Sequence, residues 1–330
     1  MRAAFFEAMG TMTVREVEPP SPDPGDARLS VRYCGICGSD VSLFKTGILS
    51  GPDSVLGHEF SAVVEVDRTG TFRPGARVVA YPARGCGKCL WCLEGHPRYC
   101  IEPPNTWGAY AEQVVSRTDF LIEIPDEVDD RAAALAEPLG VGLRAIDLAG
   151  VKDGDLCYVS GLGSIGLLVV AGLVDRGARV VGSDVREDRR ALGEAFGCEV
   201  VFDPLAEDPF WKTLGVDRHG PAFAFECSGA APAVQLAFNA CGHMGTVVLL
   251  GIPFEPAMLM PAVMAVKEQR ALSISGPSMD SMRAALEFLR RRPEVARLIT
   301  GEVPLERLQQ TMHDLESGQG GVKVLVHPRL

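Results

Sequence analysis

Short runs of alternating hydrophobic and polar residues mark the chain up to about residue 137, and they predict β-strands. The runs are rich in β-branched residues and are divided by Gly and Pro; the clearest are 28–33, 60–66 and 76–80. Alternation with a period of two, broken by turn residues, is typical of antiparallel sheets. We therefore predict an antiparallel, barrel-like β domain in this part of the chain.

From about residue 140 the pattern changes to apolar runs that alternate with glycine turns and helical stretches. Candidate strands are 156–159, 179–182, 199–202, 222–227, 246–250 and 272–275, and helices such as 165–175 and 186–196 separate them. Apolar strands joined by helices are typical of a parallel, doubly wound sheet. The predicted fold class is therefore α/β, with this sheet following the β domain.

The last fifty residues return to a mixed pattern. Ser281 is a candidate cap for a helix with Met282, Ala285, Leu286 and Leu289 on one face, and 323–327 is a candidate strand. Because the six-stranded sheet is already complete, we expect this tail to rejoin the first domain. The predicted domains are 1–138, 139–274 and a return segment, 275–330.

Composition narrows the class of protein. The chain has 330 residues, 47% of them hydrophobic, and a formal net charge of −11, which disfavours nucleic acid as a partner. No apolar run has membrane-spanning length, and the first residues lack a signal-peptide pattern. Ten cysteines without a secretion signal favour metal ligands and buried thiols in a reducing compartment. We expect a cytoplasmic protein that binds neither membrane nor nucleic acid.

Four cysteines are the strongest chemical signal. Cys86, Cys89, Cys92 and Cys100 follow the spacing C-x2-C-x2-C-x7-C. Four thiolates in one short lobe, about residues 84–102, favour a closed structural zinc site. An iron–sulfur cluster is the alternative, but in ferredoxin-like runs the fourth Cys follows after three residues and precedes Pro. Here it follows after seven residues and precedes Ile101.

A glycine fingerprint follows the first strand of the α/β region and opens its first helix. Gly161, Gly163 and Gly166 enclose Leu162, Ser164 and Ile165 in the pattern G-x-G-x-x-G. The first Gly permits the turn, the second lets the backbone approach a pyrophosphate, and the third lets helix and strand pack closely. Since the helix N-terminus then faces the anion, the sequence predicts a dinucleotide site.

Asp184 ends the next predicted strand, eighteen residues after Gly166. A carboxylate there accepts hydrogen bonds from the ribose hydroxyls of NAD and repels the 2′-phosphate of NADP, so NAD is favoured. Arg186, Arg189 and Arg190 are the contrary observation, because an arginine nearby could bind that phosphate. The structural alternative is a glycine-rich turn with Asp184 as a helix cap.

A sparser set of possible ligands lies upstream. Cys37 stands in Cys34-Gly-Ile-Cys37-Gly-Ser-Asp40, and His58 stands in Gly-His58-Glu. Taken alone, Cys34 and Cys37 could form a redox pair, and a lone His beside a strand is more often structural.

The order and spacing of these four motifs resemble the zinc-dependent medium-chain alcohol dehydrogenase family over essentially the whole chain. The run EPLGVG at 137–142 is most similar to the polyol, butanediol and threonine dehydrogenase branch. The resemblance implies a GroES-like catalytic domain, a Rossmann domain, and hydride transfer between a secondary alcohol or polyol and NAD in the cleft between them. A threonine or amino-alcohol dehydrogenase and a non-catalytic zinc- and nucleotide-binding protein remain alternatives.

The resemblance also implies roles for particular residues. Cys37 and His58 would bind a catalytic zinc, which makes two zinc ions per chain. Asp40 would orient the imidazole, Glu137 would bind the metal directly or through water, and Glu59 could also approach it. Glu137 has a structural alternative, since a carboxylate is favourable in the first turn of any helix.

Three further residues complete the expected site. Lys323 stands where the family often places a basic residue near Glu59 and the pyrophosphate, although it could equally be an ordinary strand lysine. Ser39 would pass on the proton of the alcohol. Many relatives have His where this chain has Ser42, so we expect the proton to leave through water or through a carboxylate such as Glu59.

Substrate identity does not follow from the resemblance. Ser39, Phe44 and Trp107 are candidate substrate neighbours, but the loop after Cys100 is shorter than in many relatives, which should alter the mouth of the site. Apolar residues within 254–264 are a candidate subunit contact, because relatives assemble as dimers or tetramers.

Overall fold

The computed structural model describes residues 1–48, 51–83, 85–94, 96–102, 108–253 and 255–330. The chain forms two compact units, one made of Met1–Glu137 with Met282–Leu330 and the other of Pro138–Ser281. The division of function into a catalytic domain and an NAD-binding domain stays a prediction. Within the described ranges, no helix combines the length and the apolar character that crossing a membrane requires.

The regular elements are numbered in chain order. The strands are β1 (Arg2–Ala8), β2 (Thr11–Glu16), β3 (Asp26–Gly35), β4 (Ser54–Val55), β5 (Glu59–Asp67), β6 (Arg77–Ala80), β7 (Gln113–Arg117), β8 (Leu121–Glu123), β9 (Leu156–Ser160), β10 (Arg179–Ser183), β11 (Val200–Phe202), β12 (Phe223–Glu226), β13 (Thr246–Leu249), β14 (Arg270–Ser273), β15 (Ile299–Val303) and β16 (Lys323–Val326). The α-helices are α1 (Gly38–Thr46), α2 (Leu90–Leu93), α3 (Asp130–Ala133), α4 (Ala136–Ala149), α5 (Ser164–Asp175), α6 (Glu187–Phe196), α7 (Pro209–Val216), α8 (Ala231–Ala240), α9 (Pro261–Lys267), α10 (Met279–Arg291) and α11 (Leu308–Glu316). Short 3-10 helices cover Pro97–Tyr99, Thr118–Phe120, Pro293–Leu298 and Leu305–Arg307.

Two sheets form the first unit. The smaller has the order β2-β1-β4, and the larger has the order β15-β16-β3-β5-β6-β8 with β7 also paired to β3. Every pair is antiparallel except β15 with β16. Inward-facing residues of β3, among them Leu29 and Val31, are completely buried in one cluster with Val64 and Val78. The predicted antiparallel β region is confirmed.

Strand β3 positions the candidate functional residues of this unit. Its last residue, Gly35, pairs with Glu59 at the start of β5 on one side and with Leu325 of β16 on the other. Three distant segments therefore meet where β3 ends and α1 begins. Met282–Leu330 of the C-terminal tail belong to this unit, in which β16 pairs with β3, whereas residues 275–281 belong to the second unit.

The second unit holds a six-stranded sheet in the order β11-β10-β9-β12-β13-β14, and every neighbouring pair is parallel. All five residues of β9 are buried, as expected for a parallel strand covered on both faces. The order is that of a doubly wound Rossmann sheet whose direction switches beside the first strand. The predicted fold class is confirmed.

Two element boundaries were predicted wrongly. Strand β14 begins at Arg270, two residues earlier than predicted; it is an edge strand with mostly exposed residues, so hydrophobicity does not mark its start. Ser281 does not cap α10. The cap is Ser278, whose Oγ accepts the Ser281 N–H at 3.1 Å, while Ser281 Oγ accepts the Ser278 N–H at 2.8 Å.

Candidate functional site

The four cysteines of the repeated motif lie together. The sulfur atoms are 3.5 Å apart for Cys89 and Cys92, 3.9 Å for Cys89 and Cys100, and 4.0 Å for Cys86 and Cys92. Sulfur ligands at about 2.3 Å from a tetrahedral zinc are separated by about 3.8 Å. The four-cysteine cluster (Cys86, Cys89, Cys92 and Cys100) therefore fits a zinc ion without rearrangement.

Backbone amides around this cluster favour thiolates. The N–H of Cys89 donates to Cys86 Sγ at 3.3 Å, and the N–H of Cys86 donates to Cys100 Sγ at 3.3 Å. Hydrogen bonds from the backbone of Lys88 and Cys89 lower the pKa of the Cys86 thiol. Because four protein ligands fill a tetrahedral shell, this arrangement suits a structural ion and leaves no position for a substrate.

A second cluster has mixed ligands. One ligand atom each from Cys37, His58 and Glu59 lies within 4.8 Å of the others. Cys37 is the N-cap of α1. His58 and Glu59 come from the start of β5, beside the end of β3. We call this group the mixed cluster; thiolate and imidazole are ligands that zinc prefers.

Asp40 anchors the imidazole of the mixed cluster. His58 Nδ1 lies 3.4 Å from Asp40 Oδ1, so Nε2 is the nitrogen that could bind a metal ion. Burial opposes ionisation of Asp40, but the His58 ring and hydrogen bonds from His58, Tyr110 and the Cys37 backbone hold its pKa below the ordinary value. Burial likewise lowers the pKa of His58, but the Asp40 carboxylate and the Cys37 sulfur outweigh it, and the net pKa is raised well above the ordinary value.

Glu59 and Lys323 form a completely buried ion pair. Lys323 Nζ donates to Glu59 Oε2 at 2.6 Å and to the Ile36 carbonyl at 3.0 Å. The other carboxylate oxygen, Glu59 Oε1, is buried and has no hydrogen-bond partner among the described residues. An orphaned carboxylate oxygen beside Cys37 and His58 fits a bound cation. The ion pair places Lys323 on Glu59. A contact of this lysine with a pyrophosphate stays a prediction.

Gly35 is required by this arrangement. A Cβ at that position would lie 2.3 Å from Glu59 Oε2, so the carboxylate can lie over the end of β3 only because residue 35 has no side chain. The Gly of the C-G-I-C motif is thus explained by the site and not by a redox pair. Cys34 is fully buried, and burial raises the pKa of its thiol well above the ordinary value, which makes a nucleophilic role unfavourable.

Glu137 lies in the first turn of α4 and is buried. It is not one of the three residues whose ligand atoms lie within 4.8 Å of one another. Burial raises the pKa of Glu137 to about 7; the neighbouring Glu59 also raises it, and His58 and Lys323 lower it. Glu59 is therefore a member of the mixed cluster, and Glu137 lies outside it.

The three expected substrate neighbours have different positions in the structure. Ser39 is half-buried in the first turn of α1, two residues after Cys37 in sequence. Ser42, which stands where many relatives have His, is also half-buried on α1. Phe44 is corrected: its side chain is completely buried in the core and packs edge-on against His313 at 5.0 Å, so no face is left for a substrate. Trp107 lies outside the described residues.

The glycine fingerprint has the predicted strand–turn–helix setting. Gly161 adopts φ 90°, and a Cβ there would lie 2.7 Å from Ser228 Cβ; a Cβ on Gly166 would lie 1.8 Å from the Gly161 carbonyl oxygen. Packing therefore fixes the first and third glycines. The nearest neighbour of a Cβ on Gly163 is Arg189, at 3.7 Å. The described residues thus leave room beside Gly163, where the fingerprint predicts the close approach of a pyrophosphate. Gly163 caps α5, whose first residues are Ser164 and Ile165.

Asp184 follows β10 and is buried beside this turn. Its Oδ2 accepts the Leu162 N–H at 2.8 Å, and its Oδ1 accepts the Arg186 N–H at 2.9 Å. The guanidinium of Arg186 pairs with Asp188, and that of Arg190 bonds the Asp184 carbonyl. Arg189 differs: one of its terminal nitrogens is 3.8 Å from Asp184 Oδ2, and its buried Nε has no hydrogen-bond partner among the described residues.

Sequence reasoning missed Tyr110, whose hydroxyl donates to Asp40 Oδ2 at 2.7 Å. The only signal was its place in Gly108-Ala-Tyr110-Ala-Glu112, which marks the end of the loop after the four-cysteine cluster.

Comparison with known proteins gives a consistent result. The family model "Alcohol dehydrogenase GroES-like domain" matches residues 23–126, and "Zinc-binding dehydrogenase" matches residues 164–291. The chain is 30% identical to sorbitol dehydrogenase of Halalkalibacterium halodurans, over 99% of each. Among solved structures, a protein of Sinorhizobium meliloti described as a zinc-binding dehydrogenase and bound to NADP has a TM-score of 0.89 and 31% identity, with 99% of each chain covered. The 2R,3R-butanediol dehydrogenase of Bacillus subtilis has a TM-score of 0.86 and 25% identity, again with 99% of each chain covered.

Proposed function

The chain belongs to the zinc-dependent medium-chain alcohol dehydrogenase family, and from that premise we propose that it transfers a hydride between a polyol or related secondary alcohol and NAD. It is an oxidoreductase of the zinc-binding dehydrogenase type. The observation that carries the proposal is the mixed cluster, in which Cys37, His58 and Glu59 converge with Asp40 behind the imidazole.

Cys37 and His58 would hold the catalytic zinc, with Glu59 or Glu137 as the third protein group. A zinc ion with an open position supplies Lewis acidity at the oxygen of the alcohol. Lys323 occupies one carboxylate oxygen of Glu59, and the other oxygen has no hydrogen-bond partner in the described part of the chain. Glu137 would contact the metal through water, because its carboxyl lies outside the set of ligand atoms within 4.8 Å of one another.

The proton of the alcohol must also leave. Ser39 is half-buried in the first turn of α1 and carries the hydroxyl that would accept it. Ser42 does not titrate near neutral pH and cannot take the place of the His of many relatives. We propose that water carries the proton onward, with Glu59 as the alternative acceptor.

We propose NAD as the preferred dinucleotide because Asp184 presents a buried carboxylate beside the glycine turn. The NADP-bound neighbour and Arg189 make this the point most in need of a test. In wild-type protein, kcat/KM should be at least about tenfold higher with NAD than with NADP. Asp184→Ser should reduce that ratio by about tenfold or more, while Glu194→Gln, which neutralises an exposed carboxylate near the end of helix α6, should leave it nearly unchanged. A wild-type preference for NADP would contradict the proposal.

The substrate class is tested by a panel followed at the absorbance of NADH. The panel should contain sorbitol, xylitol, 2,3-butanediol, threonine and a primary alcohol, each oxidised with NAD, and the matching ketone or, for the primary alcohol, aldehyde should be reduced with NADH. We expect the highest kcat/KM for a polyol or vicinal diol. Activity with threonine alone would favour the amino-alcohol alternative, and no turnover by protein carrying two zinc ions would favour the non-catalytic one.

We also propose that the protein works as a homodimer or homotetramer in a reducing compartment, the cytoplasm. Strand β14 is an edge strand of the six-stranded sheet. In the segment that precedes it in sequence, the side chains of Met258, Met260 and Val266 are exposed. Phe254, the first residue of the predicted contact segment, lies outside the described residues. Light scattering after gel filtration measures the mass; a monomer at micromolar concentration would contradict the oligomer.

A further inference from the structure

Tyr110 lies behind the mixed cluster and is completely buried. Its hydroxyl donates to Asp40 Oδ2 at 2.7 Å, the same oxygen that accepts the Cys37 N–H at 3.2 Å. Two donors therefore occupy Oδ2, and only Oδ1 is left to accept from His58 Nδ1, 3.4 Å away. The hydroxyl, which also lies 3.4 Å from the Gly35 carbonyl oxygen, and the Cys37 N–H thus hold the carboxylate of Asp40 in this orientation together.

The ring of Tyr110 contacts the segment that carries His58. Gly57 adopts φ 95°, and a Cβ there would lie 2.9 Å from Cδ1 and Cε1 of the ring. The backbone is fastened at the same place, since Tyr110 N–H donates to the Leu56 carbonyl at 3.0 Å and Ala109 N–H donates to the Gly57 carbonyl at 2.9 Å. One residue therefore holds both the backbone before His58 and the carboxylate that orients its imidazole.

We propose that Tyr110 is a positioning residue of the metal site: its hydroxyl fixes Asp40 so that His58 presents Nε2 to the ion. This inference rests on the proposed function, because it assumes that the mixed cluster binds zinc. A neutral phenol is required as the donor, and burial, together with the Asp40 charge, raises the pKa of Tyr110 well above the ordinary value. Losing a partner that orients a ligating His typically weakens metal binding by about 10- to 100-fold.

The test uses the release of zinc to a chromogenic chelator from the full-length, zinc-loaded protein. Wild-type protein should release its zinc in two phases, a fast one from the mixed cluster and a slow one from the four-cysteine cluster. In Tyr110→Phe the fast phase should accelerate by about tenfold, the lower end of that range, because Asp40 itself is retained, and the slow phase should not change. The matched control is Tyr33→Phe, which removes a phenolic hydroxyl from β3 in the same unit and should alter neither phase. Tyr33 is half-buried and packs edge-on against His327.

A double-mutant cycle separates positioning from general packing. If Tyr110 acts through Asp40, Tyr110→Phe should accelerate the fast phase no further in an Asp40→Ala background. An unchanged fast phase in Tyr110→Phe, additive effects in the cycle, or equal acceleration of both phases would overturn the inference alone. Wild-type protein that releases a single zinc per chain would overturn the proposed function, and this inference with it.

Discussion

The four-cysteine cluster and the mixed cluster differ in where their stability comes from. The first takes all its ligands from residues 86–100 and lies on α2 and a 3-10 helix in which no residue is buried. The second stands on β3, α1, β5 and β16, and its supporting groups Asp40, Tyr110 and Lys323 are buried. A local segment with almost no core needs the ion to fold, whereas a site held by the core can leave a coordination position open.

The largest expected effect is a loss of turnover without a loss of folding, when a ligand of the mixed cluster is removed. Cys37→Ser removes a ligand of the mixed cluster, so kcat/KM should fall by more than the roughly 100-fold that loss of an outer partner causes. Zinc content should fall from two ions to one, and NADH binding and the unfolding temperature should hardly change. Activity assays, metal analysis and NADH fluorescence measure the three quantities.

The control for Cys37→Ser is Cys34→Ala, because Cys34 belongs to the same motif but lies in the core outside the cluster. This variant should keep both zinc ions and most of the activity. The contrast between the clusters fails if Cys37→Ser abolishes NADH binding or folding together with turnover.

The converse change should affect stability first. Cys89→Ser removes one ligand of the four-cysteine cluster, whose helices bury no residue that could hold the segment together without the ion. The unfolding temperature should therefore fall by several degrees, at about 2–4 °C for each kcal/mol of unfolding free energy lost. Activity measured well below that temperature should remain within about threefold of wild type, because the mixed cluster is untouched. Calorimetry and a low-temperature assay test both statements.

A suitable control for Cys89→Ser is Cys198→Ala, which removes a half-buried thiol from the α/β unit. Normal thermal stability in Cys89→Ser, or a loss of activity at low temperature as large as that of Cys37→Ser, would contradict the assignment of a purely structural role.

The two clusters also differ in how far the sequence could predict them. Spacing alone located the four-cysteine cluster, because its ligands are neighbours in the chain. The mixed cluster depended on family resemblance, since nothing local links Cys37 to His58. Lys323 and Glu59 are separated by 264 residues, and only the pairing of β16, β3 and β5 brings them together.

Tyr110 and Gly35 also depend on contacts between distant parts of the chain, which the sequence does not predict. The hydroxyl of Tyr110 reaches Asp40 across seventy residues, and Gly35 is needed because a carboxylate from another strand lies over it. Sequence patterns predict periodicity and local turns but not which side chains meet across a sheet. Asp184 and the glycine turn were predictable because strand, turn and helix are consecutive.

The smallest expected effect concerns the buried carboxyl of Glu137 beside the mixed cluster; the four-cysteine cluster has no such carboxyl among its ligands. With the mixed cluster free of metal, burial raises the pKa of Glu137 from 4.5 to about 7. The folded state then binds a proton more tightly than the unfolded state, so this group's contribution is complete below pH 4.5 and is lost as the pH rises through about 7. Glu137→Gln cannot ionise and should be free of that loss.

At pH 8, metal-free Glu137→Gln should therefore exceed the metal-free wild type by roughly 1–3 kcal/mol in free energy of unfolding, and the two should converge near pH 4.5. Zinc in the mixed cluster favours the ionised carboxylate, so the advantage should shrink or reverse when the metal is restored. Glu287→Gln, which alters an exposed pair with Arg290, is the control and should follow wild type at every pH. Urea unfolding of the three proteins between pH 4.5 and 8 measures the difference, and parallel curves for wild type and Glu137→Gln would show that the carboxyl of Glu137 is ionised in the metal-free fold.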